Sequence, residues 1–99
     1  MRSYELMYIL RPDLGGDEAI SAQIEKVQGF IKDQGGSVVD SEHSAPWGRR
    51  KLAFEIADQQ EGYYVLSHFE LNPERIDELE RSLKLSEAVL RYLLIRGDE

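Results

Sequence analysis

The densest run of chemistry in this 99-residue chain is Trp47-Gly48-Arg49-Arg50-Lys51-Leu52, three adjacent cations behind an aromatic residue and a glycine. Arginine offers N–H donors in a planar fork that matches phosphate, and arginine or tryptophan can stack on an unpaired base; together these suit irregular RNA. The same run could equally be a solvated strand edge whose charges discourage pairing with another chain. Twelve Lys and Arg against 19 Asp and Glu leave a net charge of −7, which argues against nucleic acid being drawn to the whole surface. The acids gather in Asp17-Glu18, Glu25, Asp33, Glu74, Asp77-Glu78 and Glu80, whereas His43 to Phe54 contains no acid. Any RNA site must therefore be local. If Arg49, Arg50 and Lys51 lie on a strand, at most two of them can face one side.

Other chemistry is sparse. His43 and His68 have no cysteine neighbours and no His-x-x-x-His or Glu-rich ligand spacing, so neither supports a metal site. The absence of cysteine excludes disulfides, thiolate metal sites and cysteine nucleophiles, and agrees with a reducing compartment. There is no Gly-x-Ser-x-Gly elbow, phosphate-cradling Gly-x-x-x-x-Gly-Lys loop or dinucleotide fingerprint. Catalysis, a cofactor and a small-molecule substrate are accordingly not expected. Val27-Gln28-Gly29-Phe30 resembles the phosphate loop of acylphosphatases, but it sits inside an amphipathic helical period rather than between the first strand and helix. No apolar run approaches the roughly 18 residues of a membrane span, and the N-terminus lacks a signal peptide's apolar region, so a cytoplasmic location is the expectation.

These residues need elements to position them, and the patterning predicts six. Tyr4 to Leu10 reads as a strand, followed by turn chemistry at Pro12 and Gly15-Gly16. From Asp17, Ile20, Ile24, Val27 and Ile31 recur at helical spacing until Gly35-Gly36. Ser37 to Ser41 and Arg49 to Ile56 read as one second strand interrupted at Ala45-Pro46-Trp47-Gly48. A polar turn at 58–62 precedes a third strand, Tyr63 to Leu71. Asn72-Pro73-Glu74 is a helix start, and Ile76, Leu79 and Leu83 mark the helix. Ala88 to Arg96 is a fourth strand. One α+β domain over residues 1–99 follows, with the βαββαβ order of a ferredoxin-like sandwich: a four-stranded antiparallel sheet with both helices on one face.

The other sheet face stays uncovered, and alternation decides what it shows. Tyr63, Val65, Ser67 and Phe69 oppose Tyr64, Leu66, His68 and Glu70 on the third strand, as Tyr4, Leu6 and Tyr8 oppose Glu5, Met7 and Ile9 on the first. The set carrying Glu5, His68 and Glu70 is the open face, and it exposes Met7, Ile9, Tyr64 and Leu66. Such a patch is covered by a partner, by the C-terminal segment or by self-association.

Four stretches together resemble the bacterial small-subunit ribosomal protein numbered six. They are Met1-Arg2-Ser3-Tyr4-Glu5 with Arg11-Pro12-Asp13; Trp47-Gly48-Arg49-Arg50-Lys51-Leu52-Ala53-Phe54-Glu55-Ile56; Gly62-Tyr63-Tyr64-Val65-Leu66; and Ile76-Asp77-Glu78-Leu79-Glu80 leading to Ala88-Val89-Leu90-Arg91. The resemblance spans nearly the whole chain in order and implies a ferredoxin-like component of the small ribosomal subunit. It further implies a heterodimer with small-subunit protein eighteen and binding to the central domain of 16S ribosomal RNA. Matched residue by residue, Arg2, Tyr4, Arg49, Arg50, Lys51 and Arg91 become candidate RNA contacts. Met7, Ile9, Tyr64, Leu66 and His68 become candidate contacts to the protein partner. Phe54-Glu55 stands where the family commonly has Tyr-Pro, which removes a hydroxyl, adds a carboxylate and argues against an RNA contact there. Many members carry a charged tail beyond the last strand, whereas this sequence stops at Asp98-Glu99. A small-molecule-binding regulatory domain of the same fold is the alternative; it would bind a metabolite and no RNA.

Overall fold

Ile20, Ile24, Val27 and Ile31 form one stripe, and all four are buried on the inner side of helix α1 (Asp17–Asp33). The helix ends in a paired turn: the Gly35 amide donates to the Lys32 carbonyl and the Gly36 amide to the Ile31 carbonyl. Helix α2 (Ile76–Leu85) buries Leu79 and Leu83 and enters through a 3-10 turn, Pro73–Arg75. There the Asn72 side chain accepts from the Glu74 amide at 3.0 Å, as the Asn-Pro-Glu start predicts. These coordinates, a computed structural model, describe residues 1–43 and 48–97.

The strands are β1 (Arg2–Leu10), β2 (Ser37–Glu42), β3 (Gly48–Ile56), β4 (Gln59–Leu71) and β5 (Val89–Arg96). The sheet runs β2-β4-β1-β5, every pair antiparallel, and β3 also pairs with β4. The interrupted second strand is thus two strands on the same side of β4. Ser37–Glu42 pairs with the stretch Leu66 to Glu70, and β3 pairs with the stretch from Gln59 to Tyr64. This makes five strands rather than four, laid in four columns. The turn expected over 58–62 is tighter: Ala57 and Asp58 both take positive φ, 49° and 64°, and Gln59 already belongs to β4.

Both helices pack on one face. Tyr4, Leu6, Tyr8 and Leu10 of β1 and Val65, Phe69 and Leu71 of β4 share a single core with the buried residues of α1 and α2. At roughly 1.5 to 3 kcal/mol per large apolar side chain, this layer is the main stabilising contact. A polar thread crosses it: Gln28 of α1 donates to the Ser41 hydroxyl at 3.2 Å, and Ser41 and Ser67 share a 2.8 Å hydrogen bond.

Tyr8 stands beside this thread. Its hydroxyl is buried and finds no hydrogen-bond partner among the described residues. Burial pushes its pKa up, and the nearby Ser67 pulls it partway back without reaching hydrogen-bond geometry. An unpaired buried hydroxyl costs about 1 to 3 kcal/mol, and deleting it leaves the ring's packing in place. Tyr8→Phe is therefore expected to leave the unfolding free energy from urea titration unchanged or to raise it by up to about 1 kcal/mol; a loss of more than that shows the hydroxyl to be satisfied in solution.

Candidate functional site

The pleat sorts the candidate residues into two groups. On β3, Arg50 pairs with Gly62 and Gly48 with Tyr64, so Arg50 shares the open face with Tyr64. Its guanidinium lies 5.1 Å from the Tyr64 ring centroid. Arg49 and Lys51 pair with Tyr63 and Glu61 and turn to the opposite side. Two of the three cations face one way, the most that alternation permits.

Arg49 has local partners. It donates to Glu61 at 3.2 Å and to the Pro12 carbonyl at 3.3 Å, tying the β3–β4 hairpin to the loop after β1. Gln59 adds a 3.4 Å bond to Asp13, which Arg11 pairs at 3.1 Å. The Arg49–Glu61 pair is half exposed on both sides and contributes at most about 1 kcal/mol, so a phosphate can displace it at small cost. The Lys51 side chain is exposed. Gly48 starts β3 at φ 92°, where a Cβ would come 2.8 Å from the His43 carbonyl oxygen. Trp47 lies outside the described residues, so its expected part in this site is not placed.

The remaining RNA candidates scatter. Arg91 pairs with Ile9 and joins Arg50 on the open face, its guanidinium 5.7 Å from the Phe54 ring centroid. Arg2 stands at the other end of β1, opposite Leu71, roughly 25 Å from the Arg49 end at about 3.3 Å per residue. Tyr4 requires a correction. Its ring is only 7% exposed and stacks on Phe69 at 5.4 Å, so it belongs to the helix-covered core and not to a surface that RNA can reach.

Met7, Ile9, Tyr64, Leu66 and His68 all fall on the open face, as alternation in β1 and β4 requires. Ile9 is the deepest of them. Leu52 folds over it from β3, and Gly62 permits the close approach, because a Cβ there would sit 2.3 Å from the Ile9 side chain. Phe54, Leu93 and Ile95 remain 62%, 55% and 47% exposed. Together these residues form an apolar surface with a cleft of about 280 Å³ between β3 and the sheet.

His68, placed on the open face by alternation, gains two carboxylate neighbours that the sequence does not reveal. Its Nδ1 lies 2.6 Å from Asp40 and its Nε2 3.1 Å from Glu5, joining β4 to β2 and β1. The Asp40 hydrogen bond, with Glu5 behind it, raises the His68 pKa above its ordinary 6.5 against some desolvation. The folded state then holds the proton more tightly than the unfolded chain. The added stability is complete below about pH 6.5 and is lost as pH rises through the folded value. Stability should decline modestly as pH rises above about 6.5, and His68→Gln should flatten that decline in urea titrations made on either side of this pH. An unchanged slope would show that the imidazolium adds nothing to folding. Nothing in local sequence signals this cluster, because its members lie 28 and 63 residues apart.

The arrangement defines a small ferredoxin-like domain, with an apolar sheet face on one side and a basic strand at its rim. The chain belongs to the Ribosomal protein S6 family, whose family model matches residues 3–96. It is 44% identical over all 99 residues to small ribosomal subunit protein bS6 of Caldanaerobacter subterraneus subsp. tengcongensis, and 46% identical to that of Thermoanaerobacter pseudethanolicus; both are covered end to end. The crystal structure of 30S ribosomal protein S6 from Thermotoga maritima superposes with a TM-score of 0.85 at 28% identity, over 96% of this chain and 86% of that one. The C-terminal domain of the MgtC protein from Mycobacterium tuberculosis, at TM-score 0.57 and 15% identity, shares the fold alone. The chain's role is that of a structural protein of the small ribosomal subunit, in the cytoplasm.

Proposed function

We propose that the chain scaffolds subunit assembly by joining small-subunit protein eighteen through its open sheet face and presenting Arg49 and Lys51 to the central domain of 16S ribosomal RNA. The observation that carries this reading is the uncovered apolar face. Phe54, Leu93 and Ile95 stand on it beside Met7 and Leu66, and a single chain would otherwise leave such a surface in water. The basic rim is small. Two cations neutralise few phosphates, and the net charge of −7 opposes the rest of the RNA, so the free chain should hold RNA weakly. A basic partner on the open face would supply the missing charge. In this role the chain binds and positions, without catalysis, cofactor or small-molecule substrate.

The test titrates central-domain RNA with the chain alone, with protein eighteen alone and with the equimolar pair, reading the bound fraction by filter retention. The pair should bind tightly and the chain alone weakly. Tight, specific binding by the chain alone contradicts the reading.

A further inference from the structure

The open face is electrically polarised along β4. At one end Arg50 and Arg91 flank the cleft, each lying over an aromatic ring and neither in an ion pair with a described residue. Roughly 13 to 26 Å away at about 3.3 Å per strand residue, Glu5 and Asp40 beside His68 and Glu70 beyond it occupy the other end, and Glu42 stands between the two ends on the β2 edge, level with Leu66. Away from that edge, the surface between them is apolar. The cleft is lined by Met7, Ile9, Phe54 and Leu93 together with Tyr64 and Arg91, while the Tyr92 hydroxyl turns to the helix-covered face, where it donates to Glu80 at 2.9 Å. Arg91 can only donate, so the N–H groups of a nucleobase inserted here would find little in the lining to accept them, at a cost of about 1 to 3 kcal/mol per unpaired group. An aliphatic or aromatic side chain carries no such penalty.

We infer that the cleft receives an apolar anchor residue of the protein partner flanked by a carboxylate that meets Arg50 and Arg91, with the partner segment continuing toward a cationic residue over Glu42 and Glu70. This deepens the proposed heterodimer and rests on it: charge complementarity fixes the direction in which the partner lies across the sheet. The two exposed arginines act as the basic pole, and the carboxylates at the β2 edge act as the acidic one. Strand β3 thereby divides its cations, with Arg50 turned to protein and Arg49 with Lys51 turned to RNA.

Calorimetric titration with purified protein eighteen tests the inference on the intact chain, using wild type, the double reversal Arg50→Glu/Arg91→Glu and the double reversal Glu42→Lys/Glu70→Lys. All four positions are exposed, and circular dichroism checks that each variant folds. Each reversal should weaken binding by about tenfold or more at low salt, and the loss should shrink as salt screens the rim. If wild type binds and both reversals stay within about twofold of it, the polarity plays no part and the inference falls while the heterodimer stands. If protein eighteen does not bind wild type, the heterodimer reading falls and takes the inference with it. If a short single-stranded RNA binds wild type and loses that binding on Arg50→Glu/Arg91→Glu while protein eighteen is unaffected, the cleft is a base pocket and the inference is overturned.

Discussion

Leu66→Glu is expected to lower affinity for protein eighteen at least about 100-fold while leaving the domain folded. Leu66 sits half-buried near the middle of the open face, opposite Met7 on β1 and Glu42 on β2. In the free chain a carboxylate there reaches water, so the fold should lose no more than about 1 kcal/mol. Under a bound partner the same carboxylate would be buried without a counter-charge, which costs several kcal/mol; about 2.7 kcal/mol already corresponds to 100-fold. Val65 is the control, since its side chain is fully buried against the helices. Val65→Glu should unfold the chain outright. Heterodimer formation that survives Leu66→Glu, measured by titration calorimetry with folding checked by circular dichroism, would show that the partner binds elsewhere.

The second large effect concerns salt. Arg49 and Lys51 share one side of β3, so the double change Arg49→Ala/Lys51→Ala removes the pair as a unit. Each phosphate contact contributes roughly 0.7 to 0.9 to the slope of log affinity against log salt, and losing both should flatten that slope by about one to two units. Stability should change by less than about 0.5 kcal/mol per site, because both side chains are exposed and the Arg49–Glu61 pair is a weak surface contact. The measurement is RNA binding by the pair of proteins across a salt series. If affinity and slope both persist, these cations are a solvated edge and the RNA contact lies elsewhere.

Much of this was legible in the sequence wherever one period dominated. Period two in β1 and β4 gave the open face, because Leu6, Tyr8, Val65 and Phe69 had to be buried on the other side. The stripe through Ile20, Ile24, Val27 and Ile31 gave α1 from Asp17 onward, and Asn72-Pro73-Glu74 gave the entry to α2. The hairpin was less legible. Its turn uses Ala57-Asp58 with both φ positive, where the recognisable sequence would be Asn-Gly, and Gln59 to Glu61 look like loop because that part of β4 pairs only with β3. Tyr4 misled for a related reason: a match to a family position says nothing of which way the ring points, and its even register in β1 sends it to the core. The His68 cluster and the Arg49 tie to Pro12 bring together positions distant in sequence, which no local pattern encodes.

Strand β5 forms one edge of the sheet, its outer row of amides and carbonyls unpaired by any other described strand, with Leu93 and Ile95 exposed beside it. An edge of that kind templates further strands, and here it adjoins an apolar face. If the proposed heterodimer forms, copies of the chain that outnumber their partner face a colloidal hazard, since two of them meeting edge to edge would bury the face proposed for that partner. The net charge of −7, a handicap toward RNA, is then a protection, because long-range repulsion between like-charged molecules keeps unpartnered copies apart.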